Sequence, residues 1–344
     1  MALPAERKEQ MRHYLLEKIR DGEPAVVKRT AEAFGVTPAT VYRHLNDLEA
    51  QGVLIKVRRD VYRLCERTQT ATLRRCDGAF TSDTSIYKKY ILPALADLPK
   101  NILGIWDYIC GEMINNVLDH SDARTLEIGL TRDALATTVR LTDDGVGIFE
   151  KIRSYFELED DGEALGELYK GKMTTDALHH SGEGIFFSSR LADTFLILSS
   201  GKIFTHNRFE ADRLQELINA DPTEKGTTVY MSLANDSRKR AKEVFDLYAD
   251  VDGGFTRTQI PLKLYFESAP VSRSQAKRLC ARLEGFREVS LDFADVEWIG
   301  QGFADQVFRV FQNENPEIRL LPLNMNRDVS RMYYHVTGKK PGQD

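Results

Sequence analysis

The chain has 344 residues, enough for two or three domains, and its 42% hydrophobic and 29% charged content is that of a globular protein. A net charge of -5 excludes a whole-molecule attraction to nucleic acid or anionic membrane, so any such contact must come from a local patch. No apolar run reaches the roughly 18 residues of a membrane span, Met1 to Gln10 is too polar for a secretory core, and Cys65, Cys76, Cys110 and Cys280 lack zinc or disulfide spacing. A cytoplasmic protein with reduced thiols and no membrane contact is expected.

Three rhythms divide the sequence, predicting a multidomain α+β chain. Residues 1–66 alternate short helical patterns and end in a basic hairpin. A polar stretch rich in Thr and Ser, 67–84, reads as a linker; residues 85–248 mix helices, strands and glycine turns. After the break at Asp252-Gly253-Gly254, residues 258–340 alternate strand and helix.

In the first segment Met11, Tyr14, Leu15 and Ile19 recur at helical spacing, and a second helix is expected from about Val26 to Phe34, ended by Gly35. Thr37 can cap and Pro38 can open a third helix running through Leu48. Its outer face offers Thr40, Tyr42, Arg43 and His44, and the following hairpin carries Lys56, Arg58, Arg59 and Arg63. This pattern resembles winged helix-turn-helix regulators. The resemblance implies a third helix in the major groove and a wing on phosphates, with Thr40, Arg43, Arg58 and Arg59 as the DNA-binding residues. The basic excess is small, so a protein-docking use of the same fold stays open.

The middle segment opens its chemistry with the run Ile109 to Ser121. In a helix Glu112 and Asn116 share one face, with His120 a further turn along. An amide oxygen can complete the coordination of a magnesium that keeps several waters, and a neighbouring carboxylate can orient or deprotonate a water. Strand-like runs, Thr125 to Leu130 and Thr137 to Leu141, lead to Asp143-Asp144-Gly145-Val146-Gly147, where a carboxylate can accept the exocyclic amine of adenine. Further on, Gly182-Glu183-Gly184 enters a helix whose free N–H groups attract phosphate, and Lys225-Gly226-Thr227 opens another strand.

Together and in this order these motifs resemble the N-box, G1 box and G2 box of the GHKL ATPases, the superfamily of gyrase, chaperone, histidine-kinase and MutL proteins. The resemblance implies an α/β two-layer sandwich with a mixed sheet, and bound ATP with magnesium. It places Asn116 on the magnesium, Glu112 where the hydrolysing members carry their base, Asp143 on adenine and Thr227 beside it. Gly145, Gly147, Gly182 and Gly184 would shape the pocket, and residues 150–180 would form its lid. Within that lid Lys170 and Lys172 read either as phosphate partners or as solvated lysines, with Lys172 taken as the candidate. His179 and His180 read as lid or capping residues. His120 follows the box as in anti-sigma kinases and Asp119 as in gyrase-like members, leaving the subclass open. No phospho-acceptor helical hairpin stands ahead of the box, which disfavours a sensor histidine kinase.

The last segment predicts strands at Gln259 to Phe266, Glu288 to Phe293 and Arg319 to Leu323, with helices at Ser272 to Leu283, Gly302 to Phe311 and Arg327 to Val336. The stretch Val289 to Ala304 resembles STAS domains at the turn where many carry a phosphorylated serine. Gly300-Gln301 stands there instead, and Gln301 cannot accept phosphate; a generic α/β interaction domain stays open. The combined expectation is an ATP-switched, DNA-binding transcription regulator with slow or no hydrolysis. The alternatives are an anti-sigma-type serine/threonine kinase acting on a STAS-like partner and a nucleotide-binding scaffold without turnover. Expected partners are double-stranded DNA through the winged helix and a protein through the STAS-like domain, with a homodimer allowed.

Overall fold

The computed structural model describes residues 4–172, 182–207, 225–250, 254–266 and 268–339. At the N-terminus lie α1 (Ala5–Arg20), α2 (Val26–Phe34), α3 (Pro38–Ala50) and the antiparallel hairpin of β1 (Leu54–Arg58) and β2 (Val61–Leu64). The expected punctuation is present: Gly35 ends α2 at a φ of +63°, and Thr37 Oγ1 accepts the Thr40 N–H with Pro38 opening the helix. Leu15, Val41, Leu45 and Leu54 are fully buried in a core of this segment's own, which Leu135 joins from outside it.

The stretch expected as a linker is part of the central domain. Residues 67–74 form β3 (Arg67–Arg74), paired residue for residue with β4 (Thr125–Arg132) from Arg67↔Arg132 to Arg74↔Thr125. Its polarity is that of an exposed edge strand: Thr68, Thr70 and Thr72 suit extended backbone, and Leu73 is the residue it buries. Then follow α4 (Asp83–Tyr90), α5 (Leu92–Leu95), α6 (Lys100–Asn115), β4, β5 (Ala136–Asp143), α7 (Ile148–Phe156), α8 (Asp161–Lys170), α9 (Gly184–Leu191), β6 (Thr194–Ser199), β7 (Lys202–Thr205), β8 (Thr227–Ala234) and α10 (Ala241–Tyr248).

The central sheet has the order β3-β4-β5-β8-β6-β7. Hairpins and crossovers mix in its connections, while neighbouring strands run antiparallel throughout, so the expected mixture lies in connectivity and not in strand direction. Period-two alternation turns Leu126, Ile128, Leu130, Val139 and Leu141 toward the helical layer, where Ile102, Ile105, Trp106 and Ile109 of α6 are fully buried.

The C-terminal layer is a parallel sheet, β11-β10-β9, built from β9 (Arg257–Pro261), β10 (Glu288–Asp292) and β11 (Arg319–Leu323). Its helices include α11 (Leu262–Tyr265), α12 (Arg273–Cys280), α13 (Gln301–Asp305), which a π turn over Gln306–Phe311 continues, and α14 (Arg327–Thr337). The first strand stops earlier than expected because Leu262 to Tyr265 coil after Pro261. A capping box between Ser272 and Gln275 opens α12. None of the sheets closes into a barrel, and among the described residues no helix is long and apolar enough to cross a membrane.

Candidate functional site

Helix α6 delivers Glu112 and then widens into a π turn over Asn116–His120. Such turns recur at functional sites because they re-aim side chains that an α-helix would spread around its surface. Here Glu112, Asn115, Asn116 and His120 all face one cavity of about 380 Å³, within the roughly 300–1,000 Å³ of small-molecule sites.

The opposite wall comes from strand ends. Asp143 closes β5 and pairs in register with Thr227, the first residue of β8, and both line the cavity. The Asp143 carboxylate is 4% exposed, and burial pushes its pKa up to about 6 although it accepts the Gly145 N–H at 2.8 Å. Thr227 Oγ1 accepts the Ile148 N–H at 3.0 Å, which fixes the start of α7 against the strand. Gly147 stands just before that start at a φ of +87°, and a Cβ there would meet Ser199 Oγ at 2.7 Å.

Helix α9 closes the site. Gly182 and Gly184 line the cavity, and α9 begins so near α6 that a side chain on Gly184 would strike the Glu112 carboxylate. Two helix N-termini, those of α7 and α9, therefore meet at the cavity; neither N-cap residue supplies a side-chain cap, and at α7 the Ile148 N–H is already taken by Thr227 Oγ1. That arrangement suits an anion.

Eight of the residues singled out from sequence thus converge: Glu112, Asn116, His120, Asp143, Gly147, Gly182, Gly184 and Thr227. Gly145 lies instead on a neighbouring cleft with Asp144 and Lys225, packed against the Ser121 carbonyl. Lys172 does not line the cavity. Its Nζ donates to the Gly285 carbonyl at 2.7 Å and sits 4.9 Å from the centre of the Phe286 ring. Lys170 is buried and does not line the cavity either, because it pairs with Glu167 of its own helix and both lysines donate to carbonyls across the C-terminal seam. Among the described residues the lysine that lines the cavity is Lys151 of α7, 3.1 Å from Asp122. Sequence reading passed over it because one helical lysine after a glycine turn carries no pattern. Residues 173–181 of the expected lid, with His179 and His180, lie outside the described residues. Among the described residues no cluster of three or more His, Cys, Asp or Glu side chains could hold a metal alone, so a metal here would keep water or ligand oxygens.

In the N-terminal segment Arg43, Arg58 and Arg59 are exposed, the Arg59 side chain 96% so. The Thr40 hydroxyl stands 3.1 Å from that of Thr37 at the start of α3. Tyr42, read as part of the open face, donates to Asp60 Oδ1 at 2.5 Å and ties α3 to the wing turn.

Residues 7–59 match the model of a DeoR-like helix-turn-helix domain. The chain carries a DNA-binding type of module at its N-terminus. Residues 275–330 match a STAS-like domain of unknown function (DUF4325), in line with the strand order and the turn before α13. Neither match reaches the cavity, and no curated relative matches the chain.

Proposed function

We propose that the cavity is a magnesium and ATP site of the GHKL type, and that the nucleotide switches a DNA-binding transcription regulator. What supports this reading most is convergence. An amide and a carboxylate from α6, a carboxylate from β5, a hydroxyl from β8 and the glycine-rich starts of α7 and α9 come from separate stretches of chain and line one cavity. Asn116 would hold the magnesium, which neutralises phosphate charge when bound. The N–H groups opening α9, and those of α7 beyond Ile148, would take phosphate oxygens, with Lys151 as the nearby cation. Asp143 would accept the exocyclic amine of adenine, Thr227 would support that end, and Glu112 would orient or deprotonate a water, giving slow turnover. Arg43 on α3 and Arg58 and Arg59 on the wing would meet DNA. The STAS-like layer would take a protein partner.

The test is titration of the full-length protein with a fluorescent ATP analogue, with and without magnesium, beside Asn116→Ala. Magnesium-dependent binding that the variant loses is expected; equal affinity in the two proteins would remove the nucleotide assignment. Glu112→Gln should retain the analogue and release less phosphate than the wild type.

A further inference from the structure

Lys170, next to Gly171, belongs to a buried charged group that the nucleotide reading does not use. Lys170 Nζ, on a side chain 2% exposed, lies 2.8 Å from Glu167 Oε1. It also donates to the carbonyls of Arg278 at 2.7 Å and Ala281 at 2.9 Å, at the C-terminal end of α12. The ammonium thus meets both a carboxylate and the negative end of a helix. Arg282 completes the group, with Nη2 2.7 Å from Glu167 Oε1 and Nε donating to Oε2 at 3.0 Å.

Other ties follow the same seam. Arg278 Nε lies 3.2 Å from Glu163 on α8, Lys172 donates to Gly285, and Thr258 of β9 donates to the Lys170 carbonyl at 2.7 Å. On the neighbouring helix, Arg190 Nη2 donates to the Gln259 carbonyl at 3.3 Å. Gly171 itself lines the cavity at a φ of +79°, and a Cβ there would come within 2.7 Å of Phe186 and 3.0 Å of Phe255. The cavity wall at Gly171 is therefore fastened from behind, on both flanks, to the C-terminal layer.

A buried ion pair contributes little net stability, because desolvation offsets its attraction, yet removing one partner leaves an uncompensated charge. The group consequently favours one arrangement of the seam over partly opened ones. We propose that the STAS-like layer acts in cis as a clamp on α8 and Gly171, so that loosening the α8–α12 seam speeds nucleotide release. The geometry stands by itself, while the consequence for release rests on the nucleotide reading above.

Hydrogen exchange of the full chain separates the two. Arg282→Ala and Lys172→Ala remove clamp members from the edge of the seam and leave the Lys170–Glu167 pair in place. In Arg282→Ala, exchange over residues 161–172 should rise about ten-fold by local opening. Amides of β4 and β5 should stay protected, which shows that the fold is retained. Release of the fluorescent ATP analogue should quicken in step, and Lys172→Ala should shift both readings in the same direction. Unchanged exchange in α8 for both variants overturns the clamp. Raised exchange with unchanged release overturns its coupling to the cavity. If the wild type binds no analogue, the nucleotide reading falls, and exchange of Gly184 to Leu191 then decides: faster exchange there supports a clamp on the cavity wall and unchanged exchange overturns it.

Discussion

The two ends of the chain join the central domain in opposite ways. The winged helix keeps its own core, which Leu135 enters from the turn between β4 and β5. Beside that anchor His13 lies 3.4 Å from Asp236, an exposed pair of a kind that contributes little. The C-terminal layer instead shares one apolar core with the central domain. Phe255 packs on Phe186, Phe187 and Phe286 with ring centres 4.5, 5.2 and 5.4 Å away, and the charged seam of α8 and α12 lies alongside. A module added at the sequence level can thus either keep a core of its own or share the core that backs the neighbouring site. Only the second is placed to act on the cavity through packing.

The largest expected effect tests the shared core. Phe255→Ala removes a ring 4% exposed and should cost about 3–5 kcal/mol, the range for aromatic truncations in cores. Calorimetry should show the central and C-terminal parts still melting in one transition at lower temperature. Two separated transitions would break the contrast between the ends.

Next in size is Asp143, at the cavity end of β5, the strand whose other end lies beside Leu135. Burial raises its pKa from 3.8 to about 6, so the ionised form is disfavoured in the folded protein. The sign follows directly: the cost is fully present above pH 6 and fades as pH falls toward 3.8. Asp143→Asn keeps an acceptor for Gly145 and should therefore stabilise the fold at neutral pH, by up to about 3 kcal/mol, while weakening the ATP analogue. In the wild type, affinity for the analogue should drop as pH falls through about 6. Denaturant melts of both proteins across this range check the first expectation, and a destabilised Asp143→Asn would mean that burial is not what shifts the group.

Leu135→Ala comes third. Truncation of this 5% exposed side chain should cost about 2 kcal/mol, at the low end for leucine because the site lies at a domain boundary. Exchange should quicken in α1 to α3 with little change in α8 or α9. Equal loosening at the cavity would show that the winged helix is as tightly coupled as the C-terminal layer.

The sequence was most legible where local rules act. Thr37 and Pro38 set the start of α3, the alternation of strand and helix after Thr258 announced the small α/β layer, and the order Glu112, Asn116, Asp143, Gly147, Gly184 announced residues that do share a cavity. It misled where tertiary pairing overrides composition. The polar stretch 67–74 is a strand because β4 offers its edge, and polarity cannot distinguish an exposed strand from a linker. Lys170 and Lys172 look like free cations beside a glycine, and their partners at Glu167, Arg278, Ala281 and Gly285 include carbonyls brought near by the fold. Carbonyl acceptors leave no trace in a residue pattern.

The smallest effect concerns the wing and sharpens the contrast from the other side. Because the winged helix has its own core and Tyr42 braces α3 against Asp60, its DNA face should be carried by that segment alone. Neutralising Arg58 and Arg59 together should weaken binding to every duplex alike and lower the salt-dependence slope by about 0.9 for each phosphate that is no longer neutralised. Arg43→Ala should instead change which sequences are preferred, since α3 is the helix that such folds present to base edges. Leu135→Ala should leave the slope unaltered. Fluorescence-anisotropy titrations at several salt concentrations measure all of these. A Leu135→Ala protein whose slope falls as far as that of the double arginine variant would show that the central domain shapes the DNA face, and the two junctions would then differ in strength without differing in kind.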